Sequence, residues 1–131
     1  MHALDASQSK RLVLDFLAAW RSRDLERLMS FFSEESTYHN VPVAPIRGLA
    51  GIRGIFTAFL DAFRVASLDV VCVVAEPGLV IAERIDRFET QSGVAFALPV
   101  TGVFVIESEK ITRFSDYFDL ASFERQSGMK L

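Results

Sequence analysis

The chain has 131 residues, half of them hydrophobic and 12 of them Phe, with a net charge of −3 and a pI near 5.4. That length fits one domain over 1–131, able to bury about 65–70% of its unfolded surface, and its scattered basic residues leave no nucleic-acid footprint. The single cysteine rules out an internal disulfide, and two distant histidines argue against a zinc site. The start, Met1-His2-Ala3-Leu4-Asp5-Ala6, has no apolar run of signal-peptide length, and no stretch reaches membrane-spanning length. The expectation is a cytoplasmic domain without cofactor or metal, with no nucleic-acid or membrane partner.

Asp5 or Ser7 can cap a first helix running to about residue 23, on which Val13, Phe16, Leu17 and Trp20 fall at helical spacing. Asp24 caps a second, short helix with Leu25, Leu28, Met29 and Phe32 as its stripe, and the run Ser33-Glu34-Glu35-Ser36 ends it. A short strand over 37–42 follows, with Tyr38 and Asn40 on one face and Thr37, His39 and Val41 on the other. Pro42 and Pro45 confine it to an edge or stop it early. A third helix over about 50–63 buries Ile52, Ile55, Phe56, Phe59, Leu60 and Phe63. Strands are then expected over 68–75, 79–89, 94–107 and 111–118, with a helical tail over 121–126. Pro99 or Gly102 can bend the third of these. Cys72 sits in an apolar run and reads as a small buried hydrophobe. Helices followed by a run of paired strands predict an α+β fold: a strongly curved mixed or antiparallel sheet, with the N-terminal helices covering its concave face. Strands apolar on both faces suggest that the uncovered face pairs with a second copy, as a homodimer.

The strand over 79–89 is where chemistry first shows. Val80, Ala82, Arg84, Asp86 and Phe88 share one face, and Leu79, Ile81, Glu83, Ile85 and Arg87 the other. Both faces are largely apolar. If the Arg84/Asp86 face points inward, a charged pair stands in the core, where an unpaired charge costs several kcal/mol or more; otherwise the two form a plain ion pair at a sheet edge. On the last strand, Thr112, Phe114, Asp116 and Phe118 share a face, and hairpin pairing can bring Asp116 to Arg84, although the register is open. Convergence of the Tyr38/Asn40, Arg84/Asp86 and Asp116 faces would set one guanidinium between two carboxylates in an apolar pocket. One acid could then stay protonated while the other is an anionic base, and the Tyr hydroxyl and Asn amide could hold a water. That set suits addition of water to a strained, acid-sensitive bond.

Tyr38-x-Asn40 before Pro42, Glu83-Arg84-Ile85-Asp86, Leu98-Pro99-Val100-Thr101-Gly102-Val103-Phe104 and Asp116-Tyr117-Phe118-Asp119 occur in that order over nearly the whole chain. The ordered set resembles the limonene-1,2-epoxide hydrolase family. The resemblance implies the cone fold shared with ketosteroid isomerase and nuclear transport factor 2. It also implies a dimer, and one-step hydrolysis of a small apolar epoxide to a vicinal diol without a covalent intermediate. It further implies that Asp116 activates water oriented by Tyr38 and Asn40, that Asp86 protonates the epoxide oxygen, and that Arg84 bridges the two acids. The family usually has Trp-Arg where this chain has Phe114-Ser115, with Phe114 on the pocket side and Ser115 facing away.

Other residues compete for these roles. Asp119 rivals Asp116 as base, but it can instead cap the final helix. His39 has the usual residue type for a base near neutral pH, yet it alternates away from Tyr38 and Asn40. Arg47, Arg53 and Arg64 read as solvated charges. Val41, Phe59, Phe63, Leu98, Val100 and Phe104 read as core, with some at the pocket mouth. An isomerase or cyclase of the same cone would use an Asp base with a Tyr or protonated Asp donor, and a non-catalytic domain binding an apolar ligand would need none of this chemistry.

Overall fold

The computed structural model describes residues 3–131; Met1 and His2, part of the opening segment expected to carry no signal peptide, lie outside the described residues. Helix α1 (Ala6–Ala19) starts at Asp5, whose side chain accepts from the Gln8 backbone N–H while the Gln8 side chain accepts from the Asp5 N–H. This reciprocal cap satisfies two donors that a helix start leaves open. One face buries Val13, Phe16, Leu17 and Ala19. A single 3-10 turn, Trp20–Ser22, follows and ends at Arg23 in the left-handed region (φ 58°). The Arg23 guanidinium donates to the carbonyls of Leu60 at 2.6 Å and Phe63 at 2.5 Å.

Helix α2 (Leu25–Met29), capped by Asp24, is shorter than expected. Phe32 and the Ser33–Ser36 run belong instead to strand β1 (Phe32–Asn40). The reason is a pairing made far along the chain. The buried Ser36 hydroxyl accepts from the Ser33 N–H at 2.9 Å and donates to the Ile111 carbonyl at 2.6 Å, while Phe32 sits opposite Ile111. A two-residue strand, β2 (Ile46–Arg47), precedes helix α3 (Gly48–Ala62). Strand β3 (Phe63–Glu76) begins with no loop and earlier than expected. Phe63 leaves the helix because its ring stacks on Phe88 at 4.5 Å and meets Phe96 edge-on at 5.7 Å. Strands β4 (Leu79–Thr90), β5 (Ala95–Glu107) and β6 (Lys110–Tyr117) complete the sheet. Helix α4 (Leu120–Ser127) is capped by Asp119, whose side chain accepts from the Ser122 N–H.

The six strands lie in the order β2-β1-β6-β5-β4-β3 in a curved, unclosed sheet. All neighbours are antiparallel except β1 and β6, which run parallel, so the sheet is mixed. Its covered face packs Val80, Ala82, Phe104 and Phe114 against Val13, Phe16, Leu17, Ile52 and Phe56 of the helices. The opposite face leaves Val71, Val74 and Ile81 exposed. Cys72 lies exposed with them, against expectation. A register shift between Val70 and Cys72 is the cause. Leu68 and Val70 pair with the inward-facing Asp86 and Arg84, whereas Cys72 pairs with the outward-facing Glu83. Among the described residues no helix is long and apolar enough to cross a membrane.

Candidate functional site

The ambiguity of β4 is resolved by what covers it. Along β4 burial alternates, with Val80, Ala82, Arg84 and Asp86 buried and Leu79, Ile81, Glu83 and Arg87 exposed. The Arg84/Asp86 face is therefore the inner one. Arg84 is 1% exposed and is the largest fully buried side chain in the core. Its Nε and Nη2 donate to the two Asp86 carboxylate oxygens at 2.8 and 3.0 Å. Its Nη1 and Nη2 donate to the two Asp116 oxygens at 2.8 and 2.7 Å. One planar fork thus serves both acids, a geometry that a lysine ammonium could not reproduce.

Strand β5 separates Asp116 on β6 from Arg84 on β4, and a glycine makes the contact possible. Gly102 pairs with Ala82 on one side and Asp116 on the other. A Cβ at this position would stand 2.6 Å from Arg84 Nη1 and 2.8 Å from Asp116 Oδ1. The guanidinium reaches across β5 because residue 102 has no side chain. On the far side of β6, Asn40 sits in register with Asp116 and Tyr38 with Phe114. The Tyr38 hydroxyl donates to Asn40 Oδ1 at 2.9 Å, fixing which way the amide faces. Phe114 stacks between Tyr38 and Phe104 at 4.7 and 4.6 Å, and the Arg84 guanidinium lies 5.8 Å from the Phe114 ring centre.

All five residues picked from the sequence, Tyr38, Asn40, Arg84, Asp86 and Asp116, line a single cavity. Its free volume is small, about 50 Å³, and it opens to solvent on one side. Apart from those five residues its wall is apolar. Phe59, Leu98 and Val100 line it, whereas Val41, Phe63 and Phe104 do not. Phe114 faces the cavity and Ser115 does not. His39 lies outside, its Nε2 donating to the Val43 carbonyl at 2.8 Å. Asp119 caps α4 and is absent from the wall. Arg53 and Arg64 pair with Glu26 and Glu89 on the surface, and Arg47 is likewise exposed.

The SnoaL-like domain matches residues 13–114. The chain belongs to the SnoaL-like domain family. Solved structures share its fold at low identity. An LEH-like epoxide hydrolase from M. tuberculosis is 22% identical with a TM-score of 0.80, over 93% of this chain and 90% of that one. A candidate polyketide cyclase from Xanthomonas campestris is 20% identical with a TM-score of 0.84, over 93% and 98% of the two chains. A hypothetical protein of ketosteroid isomerase-like fold from Catenulispora acidiphila, in complex with trimethylamine, is 22% identical with a TM-score of 0.78, over 91% and 93%. These likenesses establish the fold; the reaction has to be argued from the residues of the site.

In this SnoaL-like domain the electrostatics follow from burial and charge count. Two ionised carboxylates against one guanidinium would leave the buried cluster with a net negative charge, and one proton removes it. Burial raises the Asp86 carboxyl to about 6, against the opposing pull of Arg84. Burial by itself would lower the Arg84 pKa, but the charges of Asp116 and Asp86 outweigh it and raise the pKa, so the guanidinium stays charged. Burial, then the Asp116 charge, push the Tyr38 phenol well above its ordinary range, so it stays a neutral donor. A carboxyl poised near neutrality beside a second acid, a fixed cation and two neutral polar groups can give one proton and accept another within one cavity.

Several wall residues escaped the sequence reading. In the sequence Gly102 reads as a possible bend and as one residue of the Leu98–Phe104 motif, although a glycine inside a strand is also the usual sign of close approach. Trp20, Leu68, Phe88, Phe118, Phe123 and Leu131 complete the wall. Phe88 and Phe118 continue the strand faces of Arg84/Asp86 and Asp116, whereas Trp20, Leu68, Phe123 and Leu131 lie on other elements and carry no signal that separates them from core.

Proposed function

We propose that this SnoaL-like domain is an epoxide hydrolase that adds water to a small apolar epoxide, terpene-like or cyclic, to give a vicinal diol. The observation that carries the proposal is the buried Arg84 fork holding Asp86 and Asp116 together in an otherwise apolar cavity. The ordered motif resemblance supports it, and so does the presence of an epoxide hydrolase among the proteins of this fold.

In the proposed reaction Asp116 is the base. It takes a proton from a water held by Tyr38 and Asn40, and that water attacks one epoxide carbon. As the carbon–oxygen bond breaks, its electron pair goes to the epoxide oxygen, which takes the proton of Asp86. Asp116 ends protonated and Asp86 ionised, and return of a proton from one acid to the other resets the site. Arg84 keeps the cluster's charge compensated in both protonation states. The apolar wall excludes bulk water and takes the hydrocarbon body of the substrate.

Purified protein incubated with limonene oxide and with cyclohexene oxide, with diol followed by gas chromatography, tests this directly. Diol is expected from the wild type, unchanged by EDTA, and is expected to be lost in both Asp86→Asn and Asp116→Asn while the fold survives. Full activity in either variant would sink the assignment.

An isomerase or cyclase of the same cone is the second reading, and the neutral, buried Tyr38 hydroxyl beside Asp116 favours it. Solvent deuterium entering the α-position of a cyclic enone, without diol from any epoxide, would select it. Arg84 argues the other way, because such chemistry needs no cation between the acids. Uptake and unchanged release of an apolar epoxide would point to a binding domain instead. We also propose that the chain works as a homodimer through the uncovered sheet face.

A further inference from the structure

The cavity as it stands is smaller than the substrates proposed for it. Its free volume of about 50 Å³ holds a few waters, whereas small-molecule sites usually run to about 300 Å³ or more. Part of the wall has to yield when a ligand enters, and the wall is unevenly anchored. Most of it stands on β1, β3, β4, β5 and β6, inside the hydrogen-bonded sheet. Trp20 sits in the turn that Arg23 fastens to the carbonyls of Leu60 and Phe63, and Phe59 belongs to α3. The remaining wall residues, Phe118, Phe123 and Leu131, come from the segment after β6.

That segment is bonded only to itself. Asp119 accepts from the Ser122 N–H, Gln126 donates to the Ser122 hydroxyl, and the Phe123 and Gly128 N–H groups donate to the carbonyls of Asp119 and Glu124. Beyond α4, Gly128 in the left-handed region (φ 76°) turns the chain. Glu124 then folds it back, one carboxylate oxygen accepting from the Leu131 N–H at 3.1 Å and the other lying 3.6 Å from the Lys130 ammonium. Among the described residues, no hydrogen bond or ion pair joins 119–131 to the rest of the chain. Apolar contact holds it down, chiefly the Phe123 ring against Phe59, Phe63 and Phe96. Such contact is non-directional and can re-form around a ligand, which a buried hydrogen-bond ladder cannot do without leaving groups unpaired.

We propose that residues 119–131 form a lid over the cavity, latched by Glu124, which lifts to admit the substrate and closes Phe123 and Leu131 on its apolar body, limiting its size. The inference rests on reading this cavity as the substrate site, but not on the reaction performed there.

Amide hydrogen exchange of the whole chain, followed by NMR, tests it. The Phe123 and Gly128 amides should exchange on the order of 100-fold faster than those of β5, because the lid opens without global unfolding. Saturating limonene, which has no epoxide to react, should slow both by about tenfold. Protection equal to that of β5, or no slowing at the solubility limit of limonene, would overturn the lid. Glu124→Ala removes the latch without altering the cavity wall and should speed exchange at Phe123; unchanged exchange would remove Glu124 from the proposal. Leu131→Ala is expected to shift kcat/KM from cyclohexene oxide toward the larger limonene oxide by about tenfold, and an unchanged ratio would overturn the size limit. Slowing of the lid by limonene with no diol from any epoxide would uphold the lid and unseat the hydrolase reading alone.

Discussion

Asp86 is the residue whose behaviour with pH says most. Its carboxyl, raised by burial to about 6, must carry a proton to act as the acid, so kcat is expected to fall as pH rises through that value. A pH–rate profile on limonene oxide checks this, and a rate that keeps rising well above it would assign the proton to another group. The same shift bears on stability. The folded state holds this proton more tightly than the unfolded chain, where the ordinary value is 3.8. Its contribution is therefore fully present below that value and is lost as pH rises through about 6, with a span on the order of 3 kcal/mol. Denaturant melts across this window should show a slope in the wild type that Asp86→Asn flattens. Arg84→Met tests the opposite loss. It leaves two carboxylates buried without their cation and is expected to cost about 3–5 kcal/mol near neutral pH, less in acid, as read from urea unfolding.

Among the elements, β5 is the one that a single methyl group should disable. Gly102→Ala places a Cβ within 3 Å of two atoms already locked into buried hydrogen bonds. The expected outcome is a loss of roughly 1–3 kcal/mol and a collapse of diol formation, measured by thermal melting and by turnover. Asp5→Ala is the control at another element. It removes the capping box of α1 at about 1 kcal/mol and should leave turnover unchanged at temperatures where the protein is folded. These elements also show how far the sequence could be read. The strand period placed Arg84 and Asp86 on one face, but Leu79, Ile81 and Ile85 make the other face equally apolar, so only the covering helices decide which is inside. Helical spacing of Leu25, Leu28 and Met29 was legible. The end of α2 was not, because Ser36 and Phe32 are drawn into β1 by Ile111, far along the chain. Cys72 was misplaced for a similar reason: the irregularity after Val70 reverses the alternation with no glycine or proline to mark it. Asp116 could be joined to Arg84 only through the family likeness, since strand register is a property of the assembled sheet.

At the scale of the whole molecule, the covered face of the sheet is finished and the other is not. Val71 and Val74 are 61% and 59% exposed beside Ile81 and Leu79 on the outer side of β3 and β4, and clustered exposed apolar side chains of this kind are what an interaction surface presents. Sedimentation of the wild type is expected to give a dimer, and Val71→Glu with Val74→Glu a monomer; a wild-type monomer at micromolar concentration would remove the dimer proposal. The site itself depends on the complete sheet, because β1, β4, β5 and β6 each hold one part of it. This division sets an order on how such a site can be acquired or engineered. With a side chain at position 102, the guanidinium at 84 or the carboxylate at 116 has to give way and their paired hydrogen bonds are disturbed, and a buried cation with half its donors idle is a liability. Glycine therefore has to come first on any mutational route to the three-residue cluster, and has to be the last of the set to be lost.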